Sequence, residues 1–419
     1  MPPPGTPRSI TRPIIAVAIV ALAAGYGQFG AVAALGEVAR SFGHAVHGTT
    51  VAEEAGLSGT VLGVGLAALR LASILGLPLA AVADRWGRRG TLLWWTAIGL
   101  VATMAAAASP TYWWFVAIFA LGRPFLSAAA ALTHVVTAEL SRPSARATAL
   151  AVVSAGYGLG AGINALTHAA LRGTLGFRAL FLTSLVPLIA IIIIGRWIPE
   201  PRRIPAIEGR KPRLGSVGQA HRRRLATVMG LIFATSMISA PASSFVFLYA
   251  ENVTHLPKGV ETAMIASAAF VGFVGLHFGR RIADTTGRRP AIALGVSGLA
   301  FASVILYSGS RVGVVVGYLA GVLASGLLAP AGTALPSELF PTEVRASVAG
   351  WGIVASVVGG VTGLLTFGFL ADASGSFAWA AIATAAPLLL SLFLVRRLSE
   401  TRGSELSDTL GSLPGSPLD

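Results

Sequence analysis

Twelve long apolar stretches constrain this chain more than any other feature of its sequence. Each is long enough for a helix to cross a hydrocarbon core of about 30 Å at about 1.5 Å per residue. Backbone polar groups inside lipid must be satisfied within the segment, so each stretch predicts a helix. Runs such as LTSLVPLIAIIIIG (182–195) lack the apolar–polar alternation of a β-barrel strand. The predicted spans are 14–36, 57–83, 91–109, 112–138, 147–171, 177–198, 225–250, 261–283, 290–309, 312–335, 346–370 and 376–395.

The composition excludes an ordinary soluble protein. Apolar residues make up 54% of the chain and charged residues 11%, against roughly 25% charged residues in soluble domains. The absence of cysteine excludes disulfides, thiolate nucleophiles and thiolate metal ligands. The spans contain no nucleophile–base set, metal-binding cluster or paired carboxylates, so we expect no enzyme activity, no cofactor and no metal ion.

The positions of the basic residues predict the orientation in the membrane. The chain has 31 Lys and Arg against 17 Asp and Glu, a net charge of +14. Lysine and arginine accumulate in loops that stay in the cytoplasm, which predicts a plasma (inner) membrane protein with both termini inside. The basic run RWIPEPRRIPAIEGRKPRLGSVGQAHRRR (196–224) lies between spans six and seven. We interpret this run as a topology signal beside anionic lipid and expect no nucleic-acid partner.

An internal repeat divides the chain into two halves. VADRWGRRG (82–90) matches IADTTGRRP (282–290), and AELSRPSARA (138–147) matches SELFPTEVRA (337–346), with offsets of 200 and 199 residues. Two landmarks with nearly the same offset predict a duplicated six-helix unit. The predicted segments are a cytoplasmic tail 1–13, a first bundle 14–198, a basic linker 199–224, a second bundle 225–395 and a cytoplasmic tail 396–419.

The repeated loop resembles the G-x-x-x-D-R-x-G-R-R signature of the major facilitator superfamily of secondary transporters. Ala80 and Arg280 replace the leading glycine of this signature. The segments ELFPTEVRA, WIPEPRR and SETRG are similar to those of the sugar-porter and organic-solute branches. The resemblance covers essentially the whole chain. It implies an all-α membrane fold of twelve helices, a substrate site between the halves at the bilayer midplane, and transport by alternating access.

The family resemblance also implies a latch that holds the cytoplasmic side closed and breaks when the halves rock. Glycine allows a tight reversal between two helices, and arginines complement helix C-termini and pair with carboxylates. Topology and turn geometry alone are the alternative explanation of the same residues. The latch candidates are Asp84, Arg85, Gly87, Arg88, Arg89, Glu139 and Arg146 in the first half, and Asp284, Gly287, Arg288, Arg289, Glu338 and Arg345 in the second.

Two arginines, Arg70 and Arg123, fall inside predicted spans near mid-depth. A charge there costs about 2.5–3.5 kcal/mol on insertion scales. Neither has a basic counterpart in the second half, where Phe270 and Val322 stand instead, so we interpret both as additions for function. The alternative is an arginine held by backbone carbonyls or tyrosine hydroxyls. The family often carries an arginine at the position of Arg123, where it is linked to proton coupling.

No carboxylate is predicted at mid-depth, because all Asp and Glu fall in loops, tails or span edges. Two arginines without a compensating acid predict an electropositive cavity, which favours a substrate with a carboxylate or phosphate. His134, His168 and His277 are left as titratable candidates for carrying protons.

Further substrate-binding candidates come from polar residues within spans one and five: Tyr26, Gln28, Asn164 and His168. The run GYGLGAG (156–162) lies inside a span with no preceding strand, so it predicts close contact between helices and not a phosphate cradle.

The sequence thus predicts a monomeric secondary transporter of a small organic solute, in particular an anionic metabolite, with protons as a candidate coupling ion for symport or antiport. A drug/proton antiporter that exports hydrophobic compounds is the alternative. A non-transporting receptor on the same fold is a third hypothesis, disfavoured because the tails are short.

Overall fold

Twelve helices long and apolar enough to cross a membrane form the computed structural model, which confirms the predicted all-α membrane fold. The structure describes residues 11–43, 54–142, 145–172, 175–200, 219–340, 342–398 and 400, and it contains no β-strand within these ranges. The helices are α1 (Arg12–Ala33), α2 (Gly59–Trp86), α3 (Arg88–Ala108), α4 (Tyr112–Leu140), α5 (Arg146–Leu171), α6 (Gly176–Trp197), α7 (Arg222–Val253), α8 (Lys258–Thr285), α9 (Arg288–Leu306), α10 (Arg311–Leu339), α11 (Thr342–Ser374) and α12 (Phe377–Arg397).

Local capping explains where several helices begin. Thr111 and Ser310 precede α4 and α10, and each side-chain oxygen accepts a hydrogen bond from a backbone N–H of the first turn. Gly87 and Gly287 adopt φ values of +101° and +126° immediately before α3 and α9. These positive φ values confirm the predicted tight reversals, because only glycine adopts them without strain. Both pairs are separated by the repeat offset of 199 or 200 residues.

The chain forms two compact units. One contains Met1–Phe42 and Ala72–Pro205, and the other contains Gly43–Leu71 and Ala206–Asp419. The unit boundary falls within α2, where the helix changes to a 3₁₀ turn at Ser73–Leu75. The predicted tails 1–13 and 396–419 and the linker 199–224 lie mostly outside the described residues, so the predicted segment boundaries stay predictions.

Glycines bring α1 and α5 into backbone contact in the first unit. A Cβ atom at Gly25 would lie closer than 3.0 Å to the carbonyl oxygen of Tyr157, and one at Gly156 or Gly160 would meet the α1 carbonyls of Ala18 or Leu22 equally closely. The predicted close contact of the glycine run is therefore present. It uses only every second glycine of the run, because Gly158 and Gly162 have no atom within 4 Å of a Cβ position.

The second unit repeats these contacts on equivalent helices. Gly359, the residue 199 positions after Gly160, packs in the same way on the backbone of Phe233 in α7. Gly76 of α2 meets the backbone of α4 at Pro124, and Gly275 of α8 meets that of α10 at Leu323, which is again an offset of 199. The duplication predicted from two loops thus extends to helix packing.

The two classes of glycine in the run predict different effects of substitution. Gly160→Ala is expected to lower the stability of the detergent-solubilised protein by about 1–3 kcal/mol, the usual cost of overpacking. Gly158→Ala is the matched control and is expected to leave stability unchanged or raise it by up to about 1 kcal/mol, because alanine is the better helix former. Thermal unfolding of the two purified variants measures the difference, and equal melting temperatures would contradict the packing.

Candidate functional site

Arg123 is the central charged residue of the first unit. It lies near the middle of α4 and is half-buried. Its Nε donates a hydrogen bond to Ser73 Oγ at 3.1 Å, and its Nη1 donates to the backbone carbonyl oxygen of Gln28 at 2.7 Å. Both acceptors are neutral, so these hydrogen bonds orient the guanidinium without neutralising its charge.

Gln28 and Tyr157 extend the polar cluster around Arg123. The Tyr157 hydroxyl donates to Gln28 Oε1 at 3.2 Å. Gln28 is only 6% exposed, and its Nε2 has no hydrogen-bond partner among the residues that the structure describes. A buried amide without a partner is costly, which makes this N–H₂ group a candidate donor to a bound ligand. We name these four residues, Ser73, Arg123, Gln28 and Tyr157, the arginine cluster.

The positions that correspond to Ser73 and Arg123 in the second unit, both among the described residues, do not form an equivalent cluster. The repeat offset of 199 residues aligns Ser73 with Gly272 and Arg123 with Val322, and a Cβ atom at Gly272 would lie 3.3 Å from Val322 Cγ1. The hydrogen-bonded pair of Ser73 and Arg123 in the first half thus corresponds to an apolar contact between Gly272 and Val322 in the second half. A scaffold shared by both halves therefore does not require Arg123.

Arg70 belongs to the second unit. It lies in the N-terminal part of α2, and its side chain packs on Gly360 of α11. The two predicted intramembrane arginines are thus held by different helices in different units.

The remaining substrate-binding candidates, Tyr26 of α1 and Asn164 and His168 of α5, all lie in the first unit. The Tyr26 hydroxyl donates to Thr183 Oγ1 at 2.6 Å, because the Thr183 hydroxyl itself donates to the carbonyl of Leu180. Asn164 and His168 are each 1% exposed. His168 Nε2 lies 3.6 Å from a carboxylate oxygen of Glu37, whereas the other two predicted histidines are exposed.

Some carboxylates at span edges are deeply buried, which the sequence did not indicate. Glu251 near the end of α7 and Glu261 in the first turn of α8 are 4% and 0% exposed. Their carboxylate oxygens lie within 4.8 Å of each other in the second unit. Acidic residues at helix ends are usually solvated, so no sequence pattern separates these two from exposed ones.

The predicted latch residues of the first half form one cluster at the start of α3. The guanidinium of Arg88 forms ion pairs with Glu139 at the end of α4 and with Asp84 at 3.1 Å. Arg89 Nε donates to the carbonyl of Gly195 in α6 at 3.3 Å. Arg146 donates to the carbonyl of Ala138 in α4, and Arg85 is exposed.

The second half repeats this cluster. Arg288 binds Glu338 of α10 at 2.9 Å and Asp284 at 3.4 Å, and Arg289 donates to the carbonyl of Val395 in α12. Arg345 donates to the carbonyl of Phe340. In both halves the structure therefore brings an arginine together with the two predicted carboxylates, Asp84 and Glu139 around Arg88 and Asp284 and Glu338 around Arg288.

Two further carboxylates, which the sequence analysis missed, complete these clusters. Glu200 accepts hydrogen bonds from the backbone N–H groups of Arg88 and Arg89 at 2.6 and 3.2 Å. Glu400 does the same for Arg288 and Arg289 at 2.8 and 3.1 Å. A carboxylate at a helix N-terminus satisfies free N–H groups and interacts favourably with the helix dipole. Glu200 and Glu400 are 200 residues apart, the same offset as Asp84 and Asp284, and this offset was the available signal.

Asp372 is a third carboxylate of this kind. It lies in α11 of the second unit and accepts hydrogen bonds from the N–H groups of Gly59 and Thr60 at 2.6 and 2.8 Å. It thus caps the N-terminal end of α2. Gly59 and Gly63 allow this end to approach the backbone of α11 closely.

The capping carboxylates predict matched losses of stability in the two halves. Glu200→Ala and Glu400→Ala are each expected to cost about 0.5–2 kcal/mol, the usual effect of removing a helix cap. Asp84→Asn is the control, expected within about 0.5 kcal/mol of wild type, because its side chain is 68% exposed. Thermal unfolding of the purified variants measures all three, and a loss confined to one half would contradict the equivalence of the two clusters.

Three solved structures resemble this chain over nearly its whole length. The inward-open xylose transporter XylE from E. coli has a TM-score of 0.71 at 17% identity and covers 95% of this chain and 98% of its own. A bacterial homologue of the human lysosomal transporter Spinster, inward-facing and unoccupied, has a TM-score of 0.70 at 15% identity, covering 99% and 100%. A single-residue mutant of the nucleoside transporter NupG has a TM-score of 0.70 at 12% identity, covering 92% and 99%. A comparison with curated protein sequences gives no match.

Twelve helices in the described part of the chain are long and apolar enough to cross a membrane, and their duplicated packing and loops define a multi-pass membrane protein with an internal repeat. The family model described as Major Facilitator Superfamily matches residues 17–312 and 278–412. The chain therefore belongs to the Major Facilitator Superfamily.

Proposed function

We propose that this protein is a secondary transporter that moves a small organic solute bearing a carboxylate or phosphate by alternating access. The observation that carries the proposal is the environment of Arg123, a guanidinium near the middle of a membrane helix whose hydrogen bonds go to neutral oxygens. Since a charge at this depth is costly, an anionic ligand that compensates it supplies a reason for its presence.

The arginine cluster has unused donors for such a ligand. A guanidinium has five N–H donors, of which Arg123 uses two, so three remain. Gln28 Nε2 adds further N–H donors beside it. A planar guanidinium binds a carboxylate or phosphate through paired hydrogen bonds, which a neutral solute cannot match. The absence of this cluster from the second unit supports a role in binding.

The similar structures are named for a sugar, a nucleoside and a lysosomal transporter, so their names do not select a substrate. None of the three is named for drug export, and the alternative of a drug/proton antiporter gains no support from them. The choice of an anionic substrate rests on the charge of Arg123 and not on these names.

Two further features belong to this proposal. The duplicated ion-pair clusters around Arg88 and Arg288 act as latches that break and re-form during the transport cycle, in a plasma-membrane protein with both termini cytoplasmic. Protons are the coupling ion of this proposal, which the buried contact between His168 Nε2 and a carboxylate oxygen of Glu37 supports, because an imidazole and a carboxylate in contact can exchange a proton.

Uptake by proteoliposomes tests the role of Arg123. A panel of radiolabelled monocarboxylates, dicarboxylates, sugar phosphates and neutral sugars is offered to the wild-type protein with and without a pH gradient. We expect uptake of at least one anionic solute, and a fall of about 10- to 100-fold for that solute in Arg123→Gln, because one charge-assisted hydrogen-bond pair is lost. Arg123→Lys is expected to retain part of the activity, since it keeps the charge.

Arg178→Gln is the matched control for this experiment. Arg178 lies in α6 of the same unit and also donates to neutral backbone oxygens, those of Ala107 and Ser109, but near the end of its helix. We expect Arg178→Gln to change uptake by less than about threefold once stability is matched. Uptake of neutral solutes only, unaffected by Arg123→Gln, would overturn the anionic substrate. Failure of the wild type to move any solute of the panel would count against the transport proposal.

A further inference from the structure

A cavity of about 690 Å³ lies in the second unit at the ends of α7, α10 and α12, the side predicted to be cytoplasmic. Arg223 and Arg224 line it from α7, and Arg397, the last residue of α12, lines it from the other side. The rest of its wall consists of Ala226 and Thr227 of α7, Leu339 of α10, Leu394 of α12 and Leu398. These residues are not part of the arginine cluster or of the duplicated latch clusters.

The positive charge of this cavity is not compensated by the protein. None of the three arginines forms an ion pair with a carboxylate in the part of the chain that the structure describes. Arg397 instead places its guanidinium over the ring of Phe393, 4.2 Å from the ring centroid. The nearby carboxylate of Glu338 binds Arg288.

The first turn of α7 carries no acidic residue that would offset this positive charge. The helix extends from Arg222 back to Gln219, ahead of the apolar span given above for α7, so Arg223 and Arg224 lie within its first two turns. Basic residues at a helix N-terminus fail to complement the positive end of the dipole. Three arginines around one cavity therefore favour an anion.

The wall of the cavity is amphipathic. Leu339 and Leu398 are 2% and 5% exposed and make part of the wall apolar, and Phe393, which precedes the lining residue Leu394 in α12, is 50% exposed. An exposed phenylalanine on a membrane helix is typical of a lipid-facing surface. A free inorganic anion would gain nothing from this apolar wall, whereas a molecule with an anionic head and an apolar body would contact both parts.

We propose that this cavity binds the phosphate of an anionic phospholipid from the inner leaflet. Arg223, Arg224 and Arg397 bind the phosphate oxygens, and Leu394 and Leu398 contact the apolar chain beside the headgroup. Arginine pockets at the cytoplasmic edge of membrane helices have the chemistry required to hold such headgroups. The site is independent of the transported solute, so it stands or falls separately from the proposed function.

Native mass spectrometry of the full chain in detergent tests the proposal. The probes are dioleoylphosphatidylglycerol, dioleoylphosphatidylcholine and sodium phosphate. We expect the wild type to bind phosphatidylglycerol in preference to phosphatidylcholine. The variant R223Q/R224Q/R397Q is expected to lose affinity for phosphatidylglycerol by about 100-fold, since each arginine near an anionic lipid surface contributes about 1 kcal/mol.

The matched control removes the same number of charges elsewhere. R12Q/R142Q/R196Q changes three exposed arginines of the first unit, and we expect its affinity to fall by less than about threefold. The variant R223K/R224K/R397K keeps the charge and is expected to retain binding, which guards against a misfolded triple glutamine variant.

Three results would overturn the assignment. The first is equal affinity of the pocket variant and the control variant for phosphatidylglycerol. The second is equal binding of the two lipids by the wild type, which would indicate apolar contact only. The third is displacement of phosphatidylglycerol by sodium phosphate at millimolar concentration, which would indicate a site for a soluble phosphate.

Discussion

Close backbone contact between helices is the constraint on which the rest of this structure depends. Inside a bilayer, lipid is as apolar as leucine, so helices gain little from burying apolar side chains against each other. Association then requires van der Waals contact at short range, which glycine permits. Gly25 and Gly160 join α1 to α5, and Gly359 joins α11 to α7 in the same way. Gly76 and Gly275 bring α2 onto α4 and α8 onto α10.

The same contacts position the arginine cluster. Gly25 lets α1 reach α5 at Tyr157, and Gly27 lies against leucines of α3 and α4, so the segment that carries Gln28 is fixed on both sides. Gly76 places the 3₁₀ turn that holds Ser73 beside the middle of α4. Arg123 is therefore surrounded by oxygens from two neighbouring helices before any solute is present, which lowers the cost of organising a binding site.

Three carboxylates of this protein cap helix N-termini, whereas the hydrogen bonds of Arg123 go to neutral oxygens. Glu200 and Glu400 cap α3 and α9, and Asp372 caps α2. Each is supplied by a different helix or by the segment that follows it, so each cap ties two segments together at one point. A cap of this kind consists of two hydrogen bonds to one carboxylate, so both can break or form together. Apolar contact between helices is spread over many side chains and does not separate in this way. The caps therefore have the property that the proposed latch requires.

The sequence alone determined the number of helices, their bounds to within a few residues, the duplication, and the Asp, Arg and Glu residues that pair around Arg88 and Arg288. These features are local or periodic: a span is about 20 apolar residues, a reversal needs a glycine, and a repeat shows as a constant offset. The assignment of Arg70 and Arg123 to different units, the capping by Glu200, Glu400 and Asp372, and the burial of Glu251 and Glu261 were decided only by tertiary structure. Each depends on which helix approaches which, at separations of 50 to more than 300 residues in the case of the Arg123 and Asp372 contacts. Which helices pack against each other depends on the fit of many side chains from distant parts of the chain, so no single stretch of sequence indicates it.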